Sequence, residues 1–257
     1  MPEITNPNGV VTTQRTGKIL VITINREHKR NALTGEITLG IDKAMNTLED
    51  DDSLWCGVLT GGPLTFSAGS DLVEGSGVPT ERGGILGIIQ RRRTKPLIAA
   101  VEGIALGGGM ELALCCDLIV ASQNARFGLP EVKLGVLPAY GGVFRVSRFL
   151  PINVAKELLL TGDPISAERA ERLGLVNVVT DNGHALEGAM AMAERICVNA
   201  PLAVRESLMI INEETSGDEL DSWKRSNEAY QRLLATKDVE EGVQAFFERR
   251  IPTWECR

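Results

Sequence analysis

The stretch Ala105-Leu-Gly-Gly-Gly-Met-Glu111 is the segment on which the fold and chemistry of this chain depend. It follows the apolar run 96–103, which predicts a strand, and leads into the apolar run 110–116, which predicts a helix. The first turn of a helix presents unpaired amides and a partial positive charge, and glycine leaves that backbone open to a ligand. The pattern therefore predicts amides that hold a developing negative charge, with tight strand-to-helix packing as an equal alternative for the glycines alone.

Glu111 adds a carboxylate to this glycine-rich turn. It lies three residues after Gly108, so the two residues share nearly the same face of the predicted helix. One explanation is that the carboxylate stabilises the first turn through the helix dipole. The other is that it works as an acid or base beside an amide that polarises a carbonyl group.

The order of strand, loop and helix occurs three times in the first half of the chain. The predicted strands are 18–25, 55–61 and 96–103, and the predicted helices are 37–48, with Thr34 as its N-cap, 83–92 and the helix after the triple glycine. The strands end roughly 40 residues apart, which suits stacked supersecondary units. We therefore expect an α/β fold built from repeated turns.

The second half of the chain has mostly helical patterning. Helices are predicted over 140–149, 154–160, 167–173, 185–198, 202–212, 219–235 and 239–249. A helix should stop before Pro201, which makes Ala200-Pro201 the best candidate break. We therefore expect a core over 1–200 that carries the site, and a helical appendage over 201–257.

Two further loops carry candidate site residues. In Phe66-Ser-Ala-Gly-Ser-Asp-Leu72, small side chains leave the backbone open to supply a second amide, although an ordinary turn capped by Asp71 is favoured for this loop in isolation. In Leu129-Pro-Glu-Val-Lys-Leu-Gly135, Pro130 fixes the backbone just before Glu131 and would aim its carboxylate inward. Taken alone, Glu131 is better explained as facing solvent.

Composition excludes several other classes of protein. The 34 acidic residues against 27 basic ones, and only three Trp, two Tyr and six Phe, disfavour a nucleic-acid partner. The five cysteines are an odd number without zinc-ligand spacing, so we expect reduced thiols and no metal. The most apolar region, 97–121, contains Glu102, Glu111 and Asp117, which disfavours a membrane span. Because the first residues lack the features of a signal peptide, we expect a cytoplasmic protein.

Four ordered motifs together resemble the crotonase (enoyl-CoA hydratase/isomerase) superfamily across essentially the whole chain. They lie at 25–34, 66–72, 103–112 and 129–135. The resemblance implies an α/β fold of stacked ββα spiral turns with a C-terminal helical region that serves packing and trimerisation. It also implies an acyl-CoA thioester substrate, and a homotrimer or a dimer of trimers. Coenzyme A would enter as part of the substrate, with no separate cofactor.

The resemblance also implies roles for particular residues. The amides of Ser70 and Gly108 match the oxyanion hole, and Glu111 and Glu131 match the two glutamates of the hydratase branch. The further expected contacts to substrate or coenzyme A are Lys29, Arg30, Ala32, Ala68, Asp71, Leu72, Gly107 and Pro130. The chain departs from the family at 139–140 and 143–144, where aromatic side chains replace smaller residues near the expected acyl end.

These matches predict an enoyl-CoA hydratase, which adds water reversibly, with syn geometry, to a 2-enoyl-CoA to give a 3-hydroxyacyl-CoA. Two carboxyls suit the reaction because water must reach the β-carbon while a proton reaches the α-carbon. The alternatives are an enoyl-CoA isomerase, an enzyme similar to carnitinyl-CoA dehydratase, and a catalytically weak acyl-CoA-binding scaffold. The basic stretch 90–95 is interpreted as the solvated end of a helix, or as an attraction site for the phosphates of coenzyme A.

Overall fold

The computed structural model describes residues 4–5, 9–216 and 219–255. The strands are β1 (Ile4–Thr5), β2 (Val11–Thr16), β3 (Ile19–Ile24), β4 (Cys56–Thr60), β5 (Leu97–Val101), β6 (Ile104–Leu106), β7 (Leu118–Ser122), β8 (Arg126–Gly128), β9 (Ile165–Ser166) and β10 (Val178–Thr180). The helices are α1 (Gly35–Asp50), α2 (Gly108–Ala113), α3 (Gly142–Phe149), α4 (Ile152–Thr161), α5 (Ala167–Arg172), α6 (Ala185–Cys197), α7 (Pro201–Ser216), α8 (Glu219–Leu234) and α9 (Lys237–Glu248).

The main sheet has the strand order β1-β2-β3-β4-β5-β7-β10. Its strands from β3 to β10 are parallel, whereas β1, β2 and β3 pair in antiparallel fashion. Strands β4 and β5 are buried on both faces because α6 covers the outer face and the main core covers the inner face. This explains why they are continuous apolar runs without alternation.

A second wall stands beside the main sheet. It contains β6, β8 and β9, and two isolated parallel bridges extend it from Ser67 to Ala105 and from Leu33 to Ser70. Each turn of the chain thus contributes to the main sheet and then to the second wall, which gives the α/β spiral that the family resemblance implies. The loops around Ser70 and Gly108, distant in sequence, become neighbours on this wall.

The helices of the second half lie close to their predicted positions. The helix α6 ends at Cys197 and α7 begins at Pro201, so the predicted break between them is confirmed. The side chain of Thr34 accepts a hydrogen bond from the Ile37 amide, as expected for the N-cap of α1. The division into a core over 1–200 and an appendage over 201–257 stays a prediction.

The predicted helix over 83–92 is wrong. Only Ile85–Gly87 forms a single 3-10 turn. Gly84 and Gly87 have φ of 67° and 72°, in the left-handed region that ends a helix. A side chain at Gly87 would also collide with the backbone of Thr38, because the segment passes close to α1. Close packing, and not helical periodicity, accounts for the apolar residues here.

The basic stretch 90–95 is also not a solvated helix end. Arg91 pairs with Asp42 at 2.5 Å, and Arg93 pairs with Asp117 at 2.6 Å, with both guanidinium groups largely buried. Lys95 is fully buried and donates to the carbonyl oxygens of Leu48 and Asp51, both at 2.7 Å. Lys95 thus holds the end of α1, Arg91 holds its middle, and Arg93 is bound just before β7. All three cationic groups are engaged within the protein and not by solvent.

The described cysteines, Cys56, Cys115, Cys116 and Cys197, carry free thiols, and Cys256 lies outside the described residues. Within the described ranges, no helix combines the length and the hydropathy that a bilayer span requires.

Candidate active site

Two backbone amides, of Ser70 and Gly108, lie close together where the loop at Ser70 meets the start of α2. The loop after β6 and the loop at Ser70 approach so closely that a Cβ placed on Gly108 would lie 3.5 Å from the Ser70 nitrogen. Among the described residues, no protein acceptor takes a hydrogen bond from the amide of Ser70 or of Gly108. Two adjacent amides without acceptors can hold a ligand oxygen that carries negative charge.

Two of the three glycines, Gly107 and Gly109, have different structural roles. A Cβ on Gly109 would lie 2.5 Å from the carbonyl oxygen of Ser67, so this glycine permits close packing between the loop and α2. Gly107 has φ of +52° and starts the turn that exposes the next amide. Gly109 therefore fits the packing explanation, whereas the role of the amide that follows Gly107 in holding negative charge stays a prediction.

Glu111 lies on α2 with 2% of its surface exposed. Its Oε1 accepts hydrogen bonds from the amides of Tyr140 and Gly142, both at 2.8 Å. Burial raises the pKa of Glu111 to about 7, although these two hydrogen bonds act in the opposite direction. The carboxyl is thus fixed by the turn before α3 and keeps Oε2 for another partner.

Glu131 lies on the short 3-10 helix Pro130–Leu134, which ends at Gly135 with φ of +76°. Its Oε2 is buried and has no hydrogen-bond partner among the described residues. Its Oε1 lies 3.0 Å from the point where a Cβ on Gly107 would be. The carboxyl is therefore packed against the glycine-rich turn and does not extend into solvent.

The two carboxyls influence each other. Burial, followed by the charge of Glu111, raises the pKa of Glu131 to about 8. Two such groups titrate as a pair and keep protons to higher pH than ordinary carboxyls do. A pair with one protonated and one ionised carboxyl can transfer protons to and from a single substrate.

The loop with Lys29, Arg30 and Ala32 joins the same region. Lys29 and Arg30 are exposed and Ala32 is half-buried. The carbonyl oxygen of Arg30 accepts a hydrogen bond from the Ala68 amide at 2.9 Å, so this loop borders the loop of Ser70. Two exposed cations beside the free amides can meet the phosphates of a bound ligand.

Asn31 is a residue that the sequence reasoning missed. It is completely buried, and its Nδ2 donates to the carbonyl oxygens of Gly61 and Thr65 at 2.7 and 2.8 Å. Its backbone oxygen accepts from Ser67 Oγ at 2.8 Å. The side chain thus fixes the cationic loop to the loops that follow β4, and an Asn inside a polar motif gives little sign of this in sequence.

The remaining predicted contacts surround the same loops. Asp71 is held by Arg26 at 2.7 Å, and that hydrogen bond is the main cause that lowers the pKa of Asp71 to about 2. Leu72 is exposed, whereas Pro130 is half-buried beside Glu131. The loops that carry Arg30, Ser70 and Gly108 lie against one another, and Glu131 packs on Gly107. Asp71 is engaged by Arg26 and Leu72 is exposed.

Tyr140 links the two halves of the site. Its amide holds Glu111, and its hydroxyl lies 3.3 Å from Ser70 Oγ and 2.7 Å from Ser76 Oγ. The departure from the family pattern at 139–140 therefore places a phenol hydroxyl beside the side chain of Ser70. In the described part of the chain, no three His, Cys, Asp or Glu side chains form a group suited to a metal ion.

The spiral of parallel strands and the helix that begins at its glycine-rich turn define the class of protein, a crotonase-fold enzyme. The chain is similar to the short-chain-enoyl-CoA hydratase of Clostridium acetobutylicum, with 40% identity over 93% of this chain and 95% of the relative. It is 39% identical to carnitinyl-CoA dehydratase of Salmonella typhi, over 95% of this chain and 97% of that one. A solved structure of carnitinyl-CoA hydratase from Mycobacterium avium matches with a TM-score of 0.93 and 40% identity, covering 97% of this chain and all of that chain.

The model of the enoyl-CoA hydratase/isomerase family matches residues 14–257. The chain belongs to this family.

Proposed function

We propose that this protein is an enoyl-CoA hydratase, which adds water reversibly to a 2-enoyl-CoA to give a 3-hydroxyacyl-CoA. The observation that carries the proposal is the pair of buried carboxyls, Glu111 and Glu131, beside the glycine-rich turn, both with raised pKa. Relatives named as hydratases and dehydratases support it. Both directions of that reaction need an acid and a base together.

In the proposed reaction, the thioester oxygen accepts hydrogen bonds from the amides of Ser70 and Gly108. These bonds strengthen as negative charge moves onto the oxygen, which lowers the barrier to the enolate-like state. Loss of one such donor costs roughly 3 to 4 kcal/mol of barrier height in comparable sites. The cations of Lys29 and Arg30 are proposed to meet the phosphates of coenzyme A.

The two carboxyls divide the proton transfers. Glu111, fixed by the two amides at Oε1, orients the water with Oε2 and takes part in its activation. Glu131 is the main acid and base. The water oxygen bonds to the β-carbon, one water proton passes to the ionised carboxylate, and the protonated carboxyl gives its proton to the α-carbon. The sum is addition of H and OH across the double bond, and the pair regains its single proton.

A direct test adds purified protein to crotonyl-CoA. Loss of absorbance of the conjugated thioester and appearance of the 3-hydroxyacyl product, identified by mass, support the proposal. Inactivity towards short, medium and branched enoyl-CoAs refutes it. The reverse reaction, from a 3-hydroxyacyl-CoA, tests the dehydratase direction suggested by the carnitinyl-CoA relatives. An isomerase would instead move the double bond of a 3-enoyl-CoA, and a scaffold would bind acyl-CoA without either reaction.

We also propose a homotrimer or a dimer of trimers, located in the cytoplasm. The support for the oligomer is apolar surface on the last helices, namely Leu202, Ile210, Ile211, Leu220, Phe246 and Phe247. The support for the location is the set of free thiols. Light scattering after size exclusion tests the first proposal, and fractionation of source cells tests the second.

We further propose that coenzyme A is present only as part of the substrate and that no metal is required.

A further inference from the structure

The short helix that carries Glu131, Pro130–Leu134, contacts both α4 and α9. At the contact with α4, a Cβ on Gly162, just after that helix, would lie 3.2 Å from the Cα of Pro130. At the contact with α9, a Cβ on Gly242 would lie 2.6 Å from the carbonyl carbon of Leu134. Both helices therefore meet the segment of Glu131 at positions that lack a side chain.

The contact with α9 joins backbone to backbone at two points. A Cβ on Gly242 would lie 2.7 Å from the carbonyl oxygen of Leu134, and a Cβ on Gly135 would lie 2.7 Å from the carbonyl oxygen of Asp238. Neither position has room for a side chain. Gly242 is buried inside a helix, where only proline is less favourable than glycine. Close packing against the segment of Glu131 gives the reason for a glycine at this position.

The contact with α4 is looser than the contact with α9. The atoms nearest to a Cβ on Gly162 would lie 3.1 to 3.2 Å away, and one of them belongs to the flexible side chain of Lys133. Lys133 also pairs with Asp163 at 2.6 Å, but both side chains are at least half exposed, and exposed ion pairs contribute little to stability. The helix α9 therefore makes the tighter contact with this segment.

The two carboxyls of the candidate site are held in different ways. Glu111 Oε1 accepts hydrogen bonds from two backbone amides, which fix this carboxyl directly. Glu131 Oε2 has no hydrogen-bond partner among the residues that the structure describes. The location of the Glu131 carboxyl therefore depends on the backbone of its own short helix and on the elements packed against that helix.

From these contacts, we propose that α9 positions Glu131 for proton transfer and that Gly242 is the positioning residue through which it does so. This inference rests on the proposed function and adds a residue to the same site. Gly242 acts through the backbone at Leu134 and Gly135, which follow Glu131 by three and four residues. The C-terminal helical region thereby serves the proton transfers as well as packing.

The first test is steady-state hydration of crotonyl-CoA by Gly242→Ala, which adds one methyl group at the contact. Alanine is favoured over glycine inside a helix, so a loss of activity would not arise from helix propensity. We expect kcat to fall about tenfold or more, because a small displacement of a reacting group has a large effect on rate. KM should stay unchanged, since the amides of Ser70 and Gly108 lie on other segments.

The matched control is Gly188→Ala in α6, which covers the outer face of the main sheet. An added Cβ is crowded there as well, because it would lie 2.8 Å from Thr180 Cγ2. This variant should keep the wild-type kcat. The comparison separates the contact at Glu131 from the general effect of a crowded methyl group.

Hydrogen exchange measured by mass spectrometry tests the contact without turnover. In Gly242→Ala, peptides that cover 130–136 should exchange roughly tenfold faster than in the wild type, because the segment loses its support. In Gly188→Ala these peptides should exchange at the wild-type rate. If Gly242→Ala does not fold, Val239→Ala takes its place in both measurements, since the Cα of Val239 would lie 3.1 Å from a Cβ on Gly135. It should lower kcat and speed exchange in the same segment.

Normal kcat in a folded Gly242→Ala variant, or in Val239→Ala where that variant replaces it, would overturn the proposal. Unchanged exchange over 130–136, or an equal loss of kcat in Gly188→Ala, would overturn it too. A higher KM with unchanged kcat would place the effect on substrate binding and would count against it in the same way. A wild-type protein that hydrates no enoyl-CoA refutes the proposed function, while hydrogen exchange still decides whether α9 fixes the segment of Glu131.

Discussion

Replacement of Glu131 by glutamine should change how stability depends on pH. The ordinary pKa of this carboxyl is 4.5, and in the folded protein burial and Glu111 raise it to about 8. Between these values the carboxyl of Glu131 is protonated in the folded protein and ionised in the unfolded chain. The contribution of Glu131 to the free energy of unfolding is therefore fully present below pH 4.5 and is lost as the pH rises through 8.

The magnitude follows from linkage. Each pH unit within this window lowers the free energy of unfolding by about 1.4 kcal/mol for one such group. From about pH 5.5 to 7.5 the wild type should lose about 2 to 3 kcal/mol through Glu131, an upper value because Glu111 shares the proton. The Glu131→Gln variant keeps a neutral side chain of the same shape, so its stability relative to the wild type should rise by about 1 to 3 kcal/mol over this range.

The assay is urea unfolding at several pH values and at one fixed protein concentration, since an oligomer makes stability concentration-dependent. Glu81→Gln is the matched control because Glu81 is an exposed carboxylate. Its difference from the wild type should stay flat with pH. If the Glu131→Gln difference is equally flat between about pH 5.5 and 7.5, the carboxyl is not the buried, protonated group described here.

Three further results are expected. Gly107→Ala should lower kcat by at least about tenfold, because the φ of +52° and the Glu131 oxygen 3.0 Å from the added Cβ both disfavour a side chain at this position. Steady-state kinetics measure kcat, and far-ultraviolet circular dichroism checks that the variant is folded. A normal kcat would contradict the prediction. Lys95→Met should destabilise the fold by about 1 to 3 kcal/mol, because the carbonyl oxygens of Leu48 and Asp51 lose their donor; an unchanged urea midpoint contradicts it. Prolonged dialysis against a chelator should leave hydration unchanged, and recovery only with added metal contradicts the metal-free proposal.

Local patterns in the sequence predicted most elements of the fold. The apolar runs of β3, β4 and β5 and the amphipathic helices carry their own periodicity, and Pro201 marks a helix start by its missing amide hydrogen. The segment 83–92 failed because its isoleucines are buried by α1 and the core, while Gly84 and Gly87 prevent a continuous helix. A periodicity argument assigns buried apolar residues to a helix face even where the chain folds as a loop.

The candidate site shows the same limit on local reasoning. Pro130 before Glu131 suggested an aimed carboxylate, yet its burial depends on Gly107, more than twenty residues away. In the sequence, Arg93 is interpreted as a solvated charge. In the structure, neighbouring strands bring Asp117 beside it and the two form a salt bridge. Contacts between distant segments decide these features, so the sequence pattern alone does not contain them.

The most direct test of the central claim is turnover of crotonyl-CoA by Glu111→Gln and Glu131→Gln, with Glu81→Gln as the control. The account predicts that each of the two site variants lowers kcat roughly 100-fold or more while binding of the acyl-CoA survives, because each removes one half of the acid and base pair. The control should retain wild-type turnover. Unchanged kcat in both site variants would contradict the paired-carboxyl mechanism.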